Sequence, residues 1–113
     1  MPKVVVVMND LFFSAKINDV AKQLGMTAVF VKDKAVALEQ FKSKPALVIL
    51  DLNCASADPI DLIRAAKEAA IPSVGFVSHV QVDLKQKAQD AGCDTVVARS
   101  VFAQQVLELM KQH

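Results

Sequence analysis

Asp51 closes the run Leu47-Val48-Ile49-Leu50, and no other acid in this chain follows so apolar a stretch. Four aliphatic residues in a row leave no face for water, so the run reads as a central strand covered on both sides, with a carboxylate at its end. In an open parallel sheet, ligands gather outside the carboxyl ends of the strands. Other apolar runs also end in polar groups: Val4 to Met8 in Asn9-Asp10, Val74 to Val77 in Ser78, and Val96 to Ala98 in Arg99. A guanidinium takes a carboxylate through two parallel bonds, so one chemistry open to this set is a buried ion pair between Asp51 and Arg99. A catalytic triad and a zinc-binding spacing are both missing from the sequence.

These groups share an edge only if the intervening segments bring the chain back each time. From Phe13 the apolar residues fall at positions 13, 17, 20, 21 and 24, a helical stripe stopped at Gly25. Phe12 and Phe13 cannot both face inward from adjacent helical positions, so one of them is expected at the surface. Thr27 to Val31 reads as a second strand. Asp33 can cap a helix carrying Ala35, Leu38 and Phe41 on one face, which ends before Lys44-Pro45. Asp58-Pro59-Ile60-Asp61 opens a third helix, with an acid at the N-cap, proline at the first position and a second acid near the positive end of the dipole. That helix is expected to reach about Ala70. Pro72 to Ser78 is the fourth strand, Asp83 to Ala91 the fourth helix, stopped by Gly92, and Thr95 to Ala98 the fifth strand. Ser100 is expected to cap a last helix with the stripe Phe102, Val106, Leu109 and Met110. Five repeats of strand then helix predict a parallel α/β sheet with right-handed crossovers and helices on both faces, a flavodoxin-like domain over residues 1–113. A closed eight-stranded barrel would need roughly twice the chain.

A length of 113 residues fits one domain with a core that needs neither metal nor disulfide. With 13 Lys and Arg against 12 Asp and Glu the net charge is +1, so the total charge carries no footprint for nucleic acid. The apolar runs are far shorter than a membrane span and the N-terminus lacks a signal-peptide pattern, so a soluble, cytosolic protein is expected, with no membrane partner. In the fold above, Cys54 and Cys93 lie at opposite ends of the sheet and are expected to be reduced and unpaired. A reactive Cys54 is the alternative.

Val7-Met8-Asn9-Asp10, Leu50-Asp51-Leu52-Asn53, Phe76-Val77-Ser78 and Ala98-Arg99-Ser100 resemble, in order and separation, segments of the response-regulator receiver (CheY-like) domain. The resemblance spans the whole chain and implies the strand order 2-1-3-4-5 with five helices. It also implies that Asp51 is the acceptor of a phosphoryl group from a histidine kinase. Phosphoryl transfer is mostly positioning and charge neutralisation. By resemblance, Mg²⁺ would be held by Asp51, by the acidic pair after the first strand and by the backbone carbonyl of Asn53. Ser78 and Arg99 would face the phosphoryl oxygens.

This chain departs from the family's pattern in several places. Counted back from Leu24-Gly25, the acidic pair falls on Met8 and Asn9; shifted by one, it falls on Asn9 and Asp10. A hard cation wants anionic oxygens, so Mg²⁺ binding is expected to be weak. Arg99 stands where the family has Lys, and Ser100 where it typically has Pro. His79 follows Ser78 where the family has a small residue, and its ring is read as a gate on the route to Asp51 or as a surface residue. Val96 replaces a switching aromatic and has no polar end to move. No role attaches to His113.

The reading that follows is an atypical receiver acting in signal transduction by docking to a protein, either a histidine kinase or a downstream signalling protein, with phosphorylation lost or weakened. The contact face implied by the family carries Gln81, Lys85, Gln86, Gln89, Gln104, Gln105 and Glu108, a mixed surface suited to protein and not to nucleic acid. One alternative is a working single-domain regulator phosphorylated on Asp51 with Mg²⁺. Another is a flavin- or nucleotide-binding domain, against which the loop Asn9 to Ser14 lacks the glycine or hydroxyl cluster that cradles phosphate.

Overall fold

Two aliphatic runs form the middle of the sheet. In the computed structural model, which describes residues 2–78 and 81–112, β1 (Lys3–Val7) and β3 (Leu47–Asp51) lie side by side. Val4 to Val7 and Leu47 to Leu50 are all 0% exposed, as strands covered on both faces must be. The remaining elements are α1 (Leu11–Gln23), β2 (Thr27–Val31), α2 (Lys34–Phe41), a 3-10 turn (Ala55–Ala57), α3 (Pro59–Glu68), β4 (Ser73–Val77), α4 (Val82–Ala91), β5 (Thr95–Ala98) and α5 (Arg99–Lys111). All strand pairs are parallel and the order is β2-β1-β3-β4-β5, the expected doubly wound sheet.

Alternation along each strand divides the core in two. Val4, Val6, Leu47 and Ile49 face α1 and α5, where they meet Phe13, Ile17, Phe102, Val106 and Met110. Val5, Val7, Val48 and Leu50 face the other side, with Ala37, Phe41, Leu62, Ile63, Ala66 and Ala88. The predicted stripe of α5, Phe102, Val106, Leu109 and Met110, is buried throughout. The register pairs Val7 with Leu50, Asp51 with Phe76 and Val77 with Ala98, so the polar residues that follow emerge along one edge.

Helix starts differ from expectation in three places, each for a local reason. α1 begins at Leu11, because Asp10 adopts an extended backbone and its carboxylate accepts from the Phe13 N–H. α5 begins at Arg99 and follows β5 without a loop; Ala98 occupies the cap position, so Ser100 lies inside the first turn and does not cap it. Asp58 precedes Pro59 as predicted, yet it sits at φ 49° and its side chain makes no capping bond. Its carboxylate faces Lys34, which also pairs with Asp61 at 2.6 Å. α3 stops at Glu68, short of Ala70, which has φ 59°. Cys54 and Cys93 are buried free thiols, the first just after β3 and the second just before β5. Among the described residues no helix is long and apolar enough to cross a membrane.

Candidate functional site

Asp51 is the last residue of β3 and is half-buried. Its Oδ1 accepts the backbone N–H of Asn53 at 2.9 Å. Burial pushes the carboxyl's pKa above the ordinary aspartate value, and the Asn53 bond offsets part of that rise. Leu52 turns back over the sheet and lies against Gly75 of β4, where an added Cβ would come within 3.2 Å of the leucine side chain. Gly75 thus gives β3 its close exit beside β4. Among the described residues Asp51 makes no ion pair.

Arg99 pairs with Asp10, not with Asp51. Asp51 ends β3 and Asp10 follows β1 by three residues at the same edge, and sequence position alone does not choose between them. The choice follows from where the two helices start. Asp10 is held at the head of α1, with Oδ1 bonded to the Phe13 N–H at 3.0 Å, and its Oδ2 is free to meet a cation. Arg99 is the first residue of α5, which packs beside α1 on the same face of the sheet. Its guanidinium carbon lies 4.9 Å from the centroid of the Phe13 ring and 5.9 Å from that of Phe76, the geometry of a cation over aromatic faces. Phe13, Phe76 and Phe102 form a cluster with centroids 4.9–5.3 Å apart, so the arginine rests on a fixed floor.

Asn53 knits the loop after β3 to the loop after β4. Its Oδ1 accepts from both the backbone N–H and the hydroxyl of Ser78, at 2.9 and 3.1 Å, and its Nδ2 donates to Gln81 Oε1 at 2.8 Å. The Ser78 hydroxyl is therefore spent on the amide. Gln81 was expected only on the contact face, and its bond to Asn53 had no signal in the sequence beyond its place just before α4. Asn9 is exposed and donates to the Cys54 sulfur at 3.9 Å. Cys54 is 4% exposed and also approaches the Lys32 carbonyl and Ser56 hydroxyl, an enclosed setting. His79 and His113 lie outside the described residues. Val96 is buried at 8% exposure, a core residue of β5.

The donors at this edge do not fit a divalent cation well. Both oxygens of Asp10 are engaged, one by the α1 cap and one by Arg99; Asn9 offers only a neutral amide, and Asn53 has committed its side chain. That leaves the Asp51 carboxylate and backbone carbonyls, whereas Mg²⁺ and Ca²⁺ sites rely on anionic oxygens. Among the described residues no three His, Cys, Asp or Glu side chains are grouped closely enough to hold a metal.

Beside this edge, α4 and β5 border a shallow groove of about 370 Å³. Val77, Val82 and Ala98 are its apolar parts, and Gln81, Lys85, Gln86 and Gln89 are its polar ones. Val82 is 68% exposed, the most exposed of the large apolar side chains described.

No family model matches the sequence, and no curated protein does. Solved structures match over nearly the whole chain. The receiver domain protein (CheY-like) from Methanospirillum hungatei superposes with a TM-score of 0.84 at 14% identity, over 99% of this chain and 92% of that one. A phosphorylated cyanobacterial phytochrome response regulator, RcpA, gives 0.80 at 18% identity, over 98% and 89%. The Mn²⁺-bound form of the response regulator Rcp1 gives 0.82 at 15% identity, over 98% and 93%. Strand order, helix placement and these superpositions agree: the chain has the fold of the response-regulator receiver domains.

Proposed function

We propose that this chain is a receiver-type signalling domain that acts by docking to another protein, with phosphorylation of Asp51 lost or much weakened. The observation that carries this reading is the Asp10–Arg99 pair. Of the proteins that share the fold, RcpA is phosphorylated and Rcp1 binds Mn²⁺, and the family resemblance of the sequence assigns such groups to the edge that carries Asp51. Here the acid and the cation suited to those roles neutralise each other, and the Ser78 hydroxyl is turned to Asn53. A phosphoryl group on Asp51 would add charge to a half-buried carboxyl that has no ion-pair partner among the described residues, which electrostatics disfavours. The docking face is the groove side of α4, with β5 and α5, and its glutamine-rich rim suits a protein partner such as a kinase or a downstream signalling protein.

The test is a titration with Mg²⁺ and beryllofluoride, an acyl-phosphate mimic, followed by amide NMR shifts with Asp51→Asn as control. The expected result is no saturable shift around Asp51, Ser78 and Arg99 at millimolar metal. Saturable shifts that vanish in the control would instead identify a working regulator phosphorylated on Asp51.

A further inference from the structure

One contact withdraws two charged side chains from the Asp51 edge. We propose that the Asp10–Arg99 pair is an autoinhibitory contact, in which Arg99, seated on the Phe13 and Phe76 rings, masks the Asp10 carboxylate and so keeps the edge from taking a divalent cation. The inference rests on the reading above, that the edge is silent in the native chain, and names the contact that silences it.

Three features of the geometry support it. Arg99 is held from two directions, by the carboxylate of Asp10 and by the aromatic faces beneath it, so it does not sample the edge freely. Asp10 is fixed as well, because its other oxygen caps α1; its carboxylate stays in place whether or not Arg99 is there. Finally, β1 and β3 are neighbours paired Val7 to Leu50, so Asp10 and Asp51 leave adjacent strands at the same edge. Two carboxylates at one edge of the sheet attract a hard cation more than one does, and affinity in oxygen-ligated sites rises with the number of charged ligands. With Arg99 on Asp10, only one of the two is available. The pair is partly open to solvent, with side-chain exposures of 34% and 29%, so a substitution at Arg99 leaves neither partner stranded in the core.

The experiment is a Mn²⁺ titration read by paramagnetic broadening of amide signals in the native chain, Arg99→Gln, Arg99→Lys, and the double variant Asp10→Asn/Arg99→Gln. Asparagine caps a helix about as well as aspartate, so the double variant keeps the start of α1. Arg99→Gln is expected to broaden signals around Asp10, Asp51 and Asn53 at roughly tenfold lower Mn²⁺ than the native chain, from the added carboxylate. The double variant is expected to return to native behaviour. Arg99→Lys keeps the charge but loses the planar fork and much of the ring contact, and is expected to fall between native and Arg99→Gln; it stands in if Arg99→Gln unfolds. If Arg99→Gln and Arg99→Lys both stay as silent as the native chain, the masking idea is wrong while the docking reading survives. Tight Mn²⁺ binding at Asp51 in the native chain would sink both. Binding by the double variant as tight as by Arg99→Gln would show that Asp10 is not the masked ligand.

Discussion

Asp51 is a carboxyl group that burial makes reluctant to ionise, and this has a consequence for stability. Its folded-state pKa lies above the ordinary value, with desolvation as the main cause and the Asn53 N–H working against it. Between the unfolded and folded pKa values the folded chain holds more protons than the unfolded one, so this residue's contribution to stability falls as pH rises through that window. Asp51→Asn cannot ionise and escapes the loss, while its side-chain oxygen can still accept from Asn53. The stability difference between the variant and the native chain is therefore expected to shift toward the variant between about pH 4 and pH 7. Urea unfolding at the two pH values measures it; a shift toward the native chain would mean that the carboxylate has a stabilising partner. The neighbourhood of Asp51 is also where the sequence was least legible. It showed two acids and one arginine at strand ends, but the pairing depended on which acid headed a helix next to α5. Asn53 is a similar case: its position suggested a carbonyl, whereas its side chain ties Ser78 to Gln81.

Helix starts show how the same residue type acts differently when backbone dihedrals differ. Asp33 and Asp58 both precede a helix, and in the sequence both look like caps. Asp33 lies at φ −128°, ψ 162°, and its Oδ1 accepts from the Val36 N–H at 2.9 Å. Asp58 is carried out of the 3-10 turn Ala55–Ala57 into the left-handed region at φ 49°, where its carboxylate faces Lys34 and does not reach the helix amides. Asp33→Ala is expected to cost about 1 kcal/mol, the usual loss for an N-cap. Asp58→Gly is expected to leave stability unchanged or raise it by up to about 1 kcal/mol. Glycine relieves the left-handed strain, and the exposed pair with Lys34 contributes little. Equilibrium unfolding of the two variants distinguishes them, and an equal loss would assign Asp58 a capping role. Strands and the stripes of α1 and α5 were legible because periodicity reports burial directly. The 3-10 turn was not, since a three-residue turn has too few positions to carry a pattern.

At the scale of the whole molecule, the two faces of the sheet are built differently. On the α2, α3 and α4 side the buried contacts are largely aliphatic, with Phe41 at the margin. On the α1 and α5 side, Phe13, Phe76 and Phe102 pack against one another across helix, strand and helix, and Arg99 lies over the Phe13 and Phe76 rings. That cluster joins the core to the charged edge, so a core substitution there should be felt by the ion pair. Phe102 is 0% exposed, and Phe102→Ala is expected to cost about 3–5 kcal/mol, a large part of the ~5–15 kcal/mol that holds a domain folded. Phe13→Leu is gentler and is the better probe of the link. It removes the aromatic face under Arg99 while keeping an apolar side chain of similar reach. If the ring contact contributes as a cation over an aromatic face, Phe13→Leu and Arg99→Gln together should cost less than the sum of the two alone, by about 0.5–1 kcal/mol. Phe41→Leu, on the opposite face, should add to Arg99→Gln within about 0.3–0.5 kcal/mol, because the sheet separates them. Urea unfolding of the two double-mutant cycles gives both numbers. Additivity in the Phe13 cycle would detach the edge from the core, leaving the salt bridge as a surface contact of small energy.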